Sequence, residues 1–244
     1  MQFKVVILSI PAHLPRTFSC IGHLETMGFD VKREVKIHTG VDCREDLRAY
    51  GEEMIRDGFD RGWIESLLSC QRPAALSSAM AYLFGHLTFL KKCVAEPNPV
   101  LFMSSDVLLR LTRKELLHQF DNLFKLAGYE NVNVAHLTSS FQRRCDVPPE
   151  PLDDFWVRGS MGYAGTCTLW TSHGAQSFLD LKTGQWVGPF FQNPQDYGFE
   201  GVFSTKECHT RFGWASKFDS NWHQVPDESW QIKLEDFDYK GVTP

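Results

Sequence analysis

The sequence has no apolar run long enough to cross a bilayer, since a membrane-spanning helix needs roughly 20 apolar residues. The amino-terminal apolar segment, residues 4–10, is short and runs directly into Pro11, which is not the pattern of a signal peptide. The 7 cysteines are scattered and contain no C-x-x-C pair, so we expect reduced thiols rather than a zinc or redox site. Together these features predict a cytoplasmic protein.

Several catalytic motifs are missing as well. The chain has no Gly-x-x-x-x-Gly-Lys-Ser loop, no Gly-x-Gly-x-x-Gly and no His-Glu-x-x-His, so phosphate-loop hydrolysis, dinucleotide redox chemistry and zinc proteolysis lack support. Gly159-Ser160-Met161-Gly162 does not have the Gly-x-Ser-x-Gly spacing of a hydrolase elbow. The net charge of −5 provides no basic field for a nucleic-acid backbone, so nucleic acid is not the expected partner.

The chain has the composition of an ordinary globular domain. Hydrophobic residues make up 43% of the 244 positions and charged residues 23%, which is far from the signature of disorder. This length fits one α/β domain, and no internal repeat or low-complexity linker divides it. We therefore expect a single domain over residues 1–244.

The opening of the chain has a β-loop-α-β pattern. A β-branched apolar run predicts a strand over residues 3–10, and a loop follows over residues 11–16. Apolar residues three or four apart predict a helix from about 17 to 27, before a second strand at 29–37. This pattern builds parallel sheets that bind ligands at the carboxyl ends of their strands.

Helices and strands continue to alternate further along. Residues 44–69 are helix-compatible, residues 77–94 have a stronger helical pattern, and a Thr-x-x-Glu capping box opens a helix over 112–125. Strands are expected at 100–103 and 131–137, whereas the proline-rich second half predicts long irregular segments. The predicted fold class is α/β, with a Rossmann-like, mostly parallel central sheet flanked by helices.

Asp106 follows the predicted strand 100–103, after Ser104 and Ser105. A carboxylate at the carboxyl end of a central parallel strand faces the usual ligand crevice. It could there bind a metal that is held by a diphosphate, because such an ion needs only one or two carboxylates. The alternative is that Asp106 caps the following turn, and the spacing alone favours neither interpretation.

Four stretches of the chain follow one another in an order that a known family shares. They are Val6-Ile-Leu-Ser-Ile with Pro15-Arg16, Thr39-Gly-Val-Asp42, Gly85-His86-Leu87 with Asp106 twenty positions after His86, and Leu169-Trp-Thr-Ser-His-Gly174-Ala175 with Pro194-Gln-Asp196. Together they resemble glycosyltransferase family 25, the lipooligosaccharide and collagen galactosyltransferase-like group. Two of the family's three strand-end carboxylates are replaced here by Ser104 and Ser105, and Gly85 replaces a serine.

The resemblance implies one GT-A-like glycosyltransferase domain, with residues 1–137 as the nucleotide-sugar-binding half and 138–244 as the acceptor-side half. It implies transfer of a hexose from a nucleotide diphosphate sugar, with a UDP-sugar expected, to a hydroxyl of a glycan or protein. Mn²⁺ or Mg²⁺ is the implied cofactor. Two alternatives stay open: transfer to hydroxymethylated bases in DNA, which the acidic charge disfavours, and a non-catalytic glycosyltransferase-like binding module.

Carried over residue by residue, the resemblance implies a donor site. Arg16 would offer a planar donor fork to phosphate, and Asp42 would accept a hydrogen bond from the base or ribose. The alternatives are a surface salt bridge for Arg16, a loop cap for Asp42, and a packed core position for His86. The implied donor-binding residues are Pro11, Arg16, Asp42, His86, Ser104, Ser105 and Asp106.

The implied metal ligands are Asp106 and a late histidine, His223, while His209 is a second late histidine. A packed carboxyl-terminal flap is the alternative for both histidines. An inverting transfer needs one base to take the proton from the acceptor hydroxyl. Asp196 is the first candidate for that base and Glu200 the second, and the alternative is that these carboxylates order their loop.

Overall fold

The computed structural model describes residues 2–43, 46–69, 73–137, 149–159, 165–181 and 194–212. Three short 3-10 helices join the main elements, at Pro11–His13, Tyr129–Asn131 and Pro194–Tyr197. The helices are α1 (Leu14–Thr26), α2 (Val31–Glu34), α3 (Leu47–Asp57), α4 (Arg61–Leu68), α5 (Pro73–Cys93), α6 (Arg113–Ala127) and α7 (Ser172–Asp180). The strands are β1 (Lys4–Ser9), β2 (Val35–Thr39), β3 (Val100–Ser104), β4 (Val107–Leu109), β5 (Val134–His136), β6 (Glu150–Pro151), β7 (Trp156–Arg158), β8 (Cys167–Trp170), β9 (Val202–Thr205) and β10 (Thr210–Phe212).

Eight strands form one sheet in the order β2-β1-β3-β8-β5-β9-β7-β6. β1 is parallel to both β2 and β3, and β5 is parallel to β9. β8 comes late in the chain, yet it lies between β3 and β5 and is antiparallel to both. The predicted α/β class, with a central sheet flanked by helices, is confirmed. None of the helices in the described residues has the length and apolarity that a bilayer crossing requires.

The two faces of the sheet bury separate apolar clusters. Side chains of a strand alternate between faces, so in β3 Val100 and Phe102 join one cluster while Leu101 and Met103 join the other. The first face is covered by α3, α4, α5 and α7, and the second face by α1 and α6. This central position explains why β3 reads as an uninterrupted apolar run.

The prediction of a loop over residues 11–16 is wrong, because helical structure begins with Pro11, shortly after β1 ends at Ser9. Pro11 lies at the start of the first 3-10 helix, and Pro15 lies in the first turn of α1. A proline is tolerated at these positions because their N–H groups have no partner inside the helix. Arg16 therefore sits on the first turn of a helix, which fixes its direction more firmly than a loop would.

The second strand starts later than predicted. Residues 31–34 form the short helix α2, whose Glu34 accepts two hydrogen bonds from Arg113 Nε, both 2.9 Å long. By contrast, the capping box at Thr112 and Glu115 is confirmed, since each side chain bonds the backbone N–H of the other residue. The strand expected at 100–103 is confirmed as β3, with one further residue at its carboxyl end.

Candidate functional site

The carboxyl ends of three neighbouring parallel strands meet at one edge of the sheet. β1 leads into Pro11 and Arg16, β2 leads to Asp42, and β3 ends at Ser104 before Asp106. Such an edge is where α/β proteins usually bind ligands. The structure thus places six of the seven predicted donor-site residues along the same edge, with Ser105 between Ser104 and Asp106. We call it the β2-β1-β3 edge.

Arg16 connects the first turn of α1 to the turn that follows β3. Its Nε donates a hydrogen bond to Ser105 Oγ at 3.1 Å, although the two residues are 89 positions apart. Its terminal NH2 group donates to His13 Nδ1 at 2.7 Å. Within the described residues Arg16 forms no ion pair, so the structure does not show the salt bridge that was its alternative role.

A second set of hydrogen bonds fixes the end of β1 against α1. The hydroxyls of Ser9 and Thr17 are hydrogen-bonded to each other, and both residues are buried. Thr17 Oγ1 also donates to the carbonyl of His13 at 3.0 Å. Because His13 also accepts from Arg16, this network holds the arginine in a defined place at the β2-β1-β3 edge.

The carboxylate of Asp106 is partly buried. Its Oδ1 atom is buried and has no hydrogen-bond partner among the described residues. Burial raises the pKa of the Cys20 thiol to about 12, and the charge of Asp106 adds to that increase while Arg16 opposes it. The pKa of Tyr82 is also raised, first by burial and then by Asp106. Asp106 and Arg16 therefore both act on the same buried thiol.

Asp42 is half-buried just beyond β2. The end of this strand is tied to β1 by a hydrogen bond from Gly40 N to the Ser9 carbonyl at 2.7 Å. The pKa of the neighbouring Cys43 is raised to about 12, chiefly by burial and then by the charges of Asp42 and Glu53. Asp42 thus follows β2 at the same edge at which Arg16 follows β1.

His86 lies in the core rather than at the edge. Its ring is fully buried and stacks on Phe102 of β3, with ring centroids 4.4 Å apart and an angle of 11° between the planes. The pKa of His86 is lowered to about 3, chiefly by burial and then by the neighbouring His136 and His38. The ring is therefore neutral near pH 7, which favours the packed-histidine alternative.

Gly85 lies where helix α5 passes close to strand β1. A Cβ at Gly85 would lie 2.6 Å from Cδ1 and 2.9 Å from Cδ2 of Leu8, so α5 approaches β1 more closely than a serine allows. We expect Gly85→Ser to lower the free energy of unfolding by about 1 kcal/mol, since overpacking outweighs the removal of a helical glycine. Urea denaturation measures this change.

Leu8, which a side chain at position 85 would contact, provides the control for Gly85→Ser. Leu8→Ala removes the two carbons that a serine would meet, so the double variant should lose less stability than the two single losses combined. Strictly additive losses would contradict the contact.

Asp196 and Glu200 lie at the other edge of the sheet. The Asn133 side chain donates to the Glu200 carbonyl at 3.0 Å, just before β5 and β9 begin. β3 begins at that same edge, because its Val100 and Val134 of β5 both pair with Trp170. With a rise of roughly 3.3 Å per residue, the five residues of β3 separate the two edges by roughly 15 Å. The structure does not bring Glu200 together with Asp106, and the side chain of Asp196 lies outside the described residues.

Of the two late histidines, the structure describes only His209. His209 stacks on Phe155, with centroids 4.5 Å apart, and its backbone N–H bonds the Leu137 carbonyl. Burial lowers the pKa of His209. His223 lies outside the described residues. Within the part of the chain that the structure describes, no group of three or more His, Cys, Asp or Glu side chains could hold a metal ion.

Sequence reasoning missed the contacts of Arg16. His13 and Thr17 lie within four residues of it, so a helical start at Leu14 would have placed them near its side chain. The bond to Ser105 joins segments far apart in the chain, and no local pattern could have indicated it.

No protein-family model and no curated protein matches the chain. Among solved structures, mouse xyloside xylosyltransferase 1 is similar over 83% of this chain and 78% of that chain, with 12% identity and a TM-score of 0.38. The galactosyltransferase LgtC, in complex with donor and acceptor sugar analogues, is similar over 82% of this chain and 72% of that chain, with 11% identity and a TM-score of 0.40.

The glycosyltransferase GlyE of Streptococcus pneumoniae is similar over 84% of this chain, with 13% identity and a TM-score of 0.40. The chain spans 46% of the GlyE chain. Similarities at this level of identity and TM-score do not assign a function to this chain. The function proposed below is argued from the chain's own residues.

Proposed function

We propose that the chain is a glycosyltransferase that transfers a hexose from a nucleotide diphosphate sugar to an acceptor hydroxyl. The observation that carries this proposal is Arg16, a guanidinium held by Ser105 and His13 at the carboxyl ends of β1 and β3. A planar guanidinium at a ligand-binding edge suits a diphosphate. The resemblance to glycosyltransferase family 25 supports the same reaction. It also supports a UDP-sugar as donor and a glycan or protein as acceptor.

In this proposal the residues of the β2-β1-β3 edge bind different parts of the donor. Arg16 binds the diphosphate, and Asp42 accepts a hydrogen bond from the base or the ribose. Pro11 and Ser104 belong to the same edge, where Ser104 N donates to the Thr166 carbonyl at 2.8 Å and thereby fixes the end of β3. His86 supports that strand from the core by stacking on Phe102.

A divalent ion, which the resemblance implies, fits the described residues poorly. Asp106 is the one carboxylate of the Ser104-Ser105-Asp106 turn, and its Oδ1 atom is buried. When bound, Mn²⁺ or Mg²⁺ would neutralise the departing diphosphate. His223 stays a predicted ligand, and Phe212 of β10, eleven residues before it, pairs with Val107 directly beside Asp106.

The acceptor base is assigned less directly. Glu200 lies at the edge opposite Asp106, which argues against it as the base of a reaction at the β2-β1-β3 edge. Asp196 stays the first predicted base, although its backbone, in the 3-10 helix Pro194–Tyr197, lies at that same opposite edge. Replacing each carboxylate by its amide and measuring transfer separately from donor hydrolysis would assign the role, because a base affects transfer more than hydrolysis.

Asp106→Ala tests the proposed site. We expect the wild-type protein to release UDP from at least one UDP-sugar, and the variant to release it about 10-fold more slowly, because position 106 would no longer accept a charged hydrogen bond from a hydroxyl of the donor sugar. UDP release over a panel of sugar donors measures this. Asp180→Ala is the matched control, since Asp180 is exposed at the end of α7 and should leave the rate unchanged.

Two results would contradict the proposal. A wild-type protein that neither binds nor cleaves any nucleotide sugar would favour the non-catalytic binding module. Full activity in Asp106→Ala would remove Asp106 from the site while leaving the reaction itself in place.

A further inference from the structure

The turn after β3 is built differently from a metal-binding carboxylate cluster. Ser105 uses its hydroxyl to accept a hydrogen bond from Arg16 Nε. Asp106 has one carboxylate oxygen buried without a hydrogen-bond partner among the described residues. Mg²⁺ and Mn²⁺ require several hard oxygen ligands that converge on the ion. The described residues at this turn therefore leave at most one carboxylate oxygen, Oδ2 of Asp106, for a metal ion.

The charge of Arg16 is not compensated by its contacts. A guanidinium can only donate, so His13 accepts through Nδ1 and is the neutral tautomer with its proton on Nε2. Ser105 is a neutral partner as well. Within the described residues no carboxylate pairs with Arg16. The full positive charge is thus available to an anion at the β2-β1-β3 edge.

The identity of residue 105 decides this availability. A carboxylate there would lie at hydrogen-bonding distance from Arg16 and would neutralise it through a charge-assisted bond. A serine keeps the same hydrogen bond and adds no negative charge. A serine at position 105, where the family that the sequence resembles has a carboxylate, therefore leaves the charge of Arg16 available at the β2-β1-β3 edge.

We propose that Arg16 takes over the charge-neutralising role of a divalent ion, so that the donor diphosphate binds without metal. This inference rests on the proposed function. Arg16 contacts the diphosphate, whereas Ser105 and His13 are positioning residues that aim the guanidinium. Transfer then leaves the nucleotide diphosphate as an anion, and Arg16 stabilises the charge that develops on it.

The first experiment measures UDP and uridine binding by calorimetry, once with EDTA and once with Mn²⁺. We expect the affinity of the wild-type protein for UDP to differ by less than about 2-fold between the two conditions. Arg16→Gln should weaken UDP binding by about 10- to 100-fold in EDTA, which is the range of a charged hydrogen-bond pair. Uridine binding should stay unchanged, because uridine carries no phosphate.

Arg33→Gln is the matched control for Arg16→Gln. Arg33 lies on α2 with an exposed side chain and a single long contact to Asp30. It loses the same charge without touching the β2-β1-β3 edge, so UDP affinity should not change. Thermal unfolding of both variants verifies that each one is folded.

Ser105 is tested as a positioning residue by three replacements. Ser105→Thr keeps the hydroxyl and should retain UDP affinity in EDTA, whereas Ser105→Ala should lose part of it. Ser105→Asp should weaken UDP binding in EDTA more than Ser105→Ala does, because the new carboxylate neutralises Arg16. Equal UDP affinities in Ser105→Ala and Ser105→Asp would contradict the charge argument.

The outcomes separate the two proposals. UDP binding that needs Mn²⁺ and is lost in His223→Ala would overturn the metal-free site and leave the glycosyltransferase proposal intact. No UDP binding in either condition would overturn the donor site and this inference with it.

Discussion

Gly174→Ala is expected to lower the free energy of unfolding by more than about 3 kcal/mol, which is a large part of the stability of a domain. A Cβ at this position would lie 2.1 Å from the carbonyl oxygen of Asn133 and 2.5 Å from its Cα. Both atoms belong to the backbone, so no side chain can rotate out of the way. Urea denaturation, followed by circular dichroism, measures the loss.

The backbone at Asn133 is held too firmly to retreat. Its N–H donates to the Gly201 carbonyl at 2.9 Å, and its carbonyl accepts from Thr171 N at 3.3 Å. Thr171 also caps α7 by accepting from Gly174 N at 3.0 Å. Helix α7 and the amino ends of β5 and β9 thus converge on one residue, and a methyl group would have to separate them.

Gly22→Ala is the matched control for this substitution. Gly22 lies inside α1, and a Cβ there would meet nothing within 4 Å. Alanine at an open helical position should raise stability by about 0.5–1 kcal/mol, because glycine is a poor helix former. Opposite signs for the two variants are expected, and a Gly174→Ala protein as stable as the wild type would contradict the close approach at Asn133.

The wild-type protein is expected to lose about 2 kcal/mol of stability between pH 7 and pH 5 through His86 alone. The pKa of His86 is lowered from 6.5 to about 3 in the folded chain, chiefly by burial. Below pH 6.5 the unfolded chain therefore binds a proton that the folded chain does not. The contribution of His86 to the free energy of unfolding is therefore fully present above pH 6.5 and decreases as the pH falls toward 3.

His86→Leu should make the difference in unfolding free energy between pH 7 and pH 5 smaller by that amount, whatever the substitution does to stability at pH 7. Burial and the charge of Lys92 also lower the pKa of His38, so part of the pH dependence should persist in the variant. His118→Gln is the control, because His118 is exposed on α6. An unchanged pH dependence in His86→Leu would show that folding does not lower the pKa of His86.

Local signals in the sequence predicted the elements that depend on local interactions. The capping box at Thr112 needs only residues within one helical turn, and the apolar run 100–103 needs only burial on both faces. The start of α1 was missed because Pro11 and Pro15 suggest a loop, although both occupy positions where a helix tolerates proline.

Contacts between distant segments could not be predicted in the same way. The sequence placed Arg16 and Asp106 at strand ends, and the structure shows that both lie at the β2-β1-β3 edge. It gave no information on the direction of β9 or its place in the sheet, and these decide on which side Glu200 lies. The bond from Arg16 to Ser105 likewise depends on the pairing of β1 with β3.

The position of β8 between β3 and β5 governs the order in which the protein can assemble during synthesis. When a nascent chain has emerged only as far as His136, β3 and β5 have no strand between them and cannot join one sheet. The apolar edge of β3 then remains unpaired until Trp170 has left the ribosome. During that interval β3 presents unpaired backbone groups along one side, which is the condition under which partly folded chains aggregate.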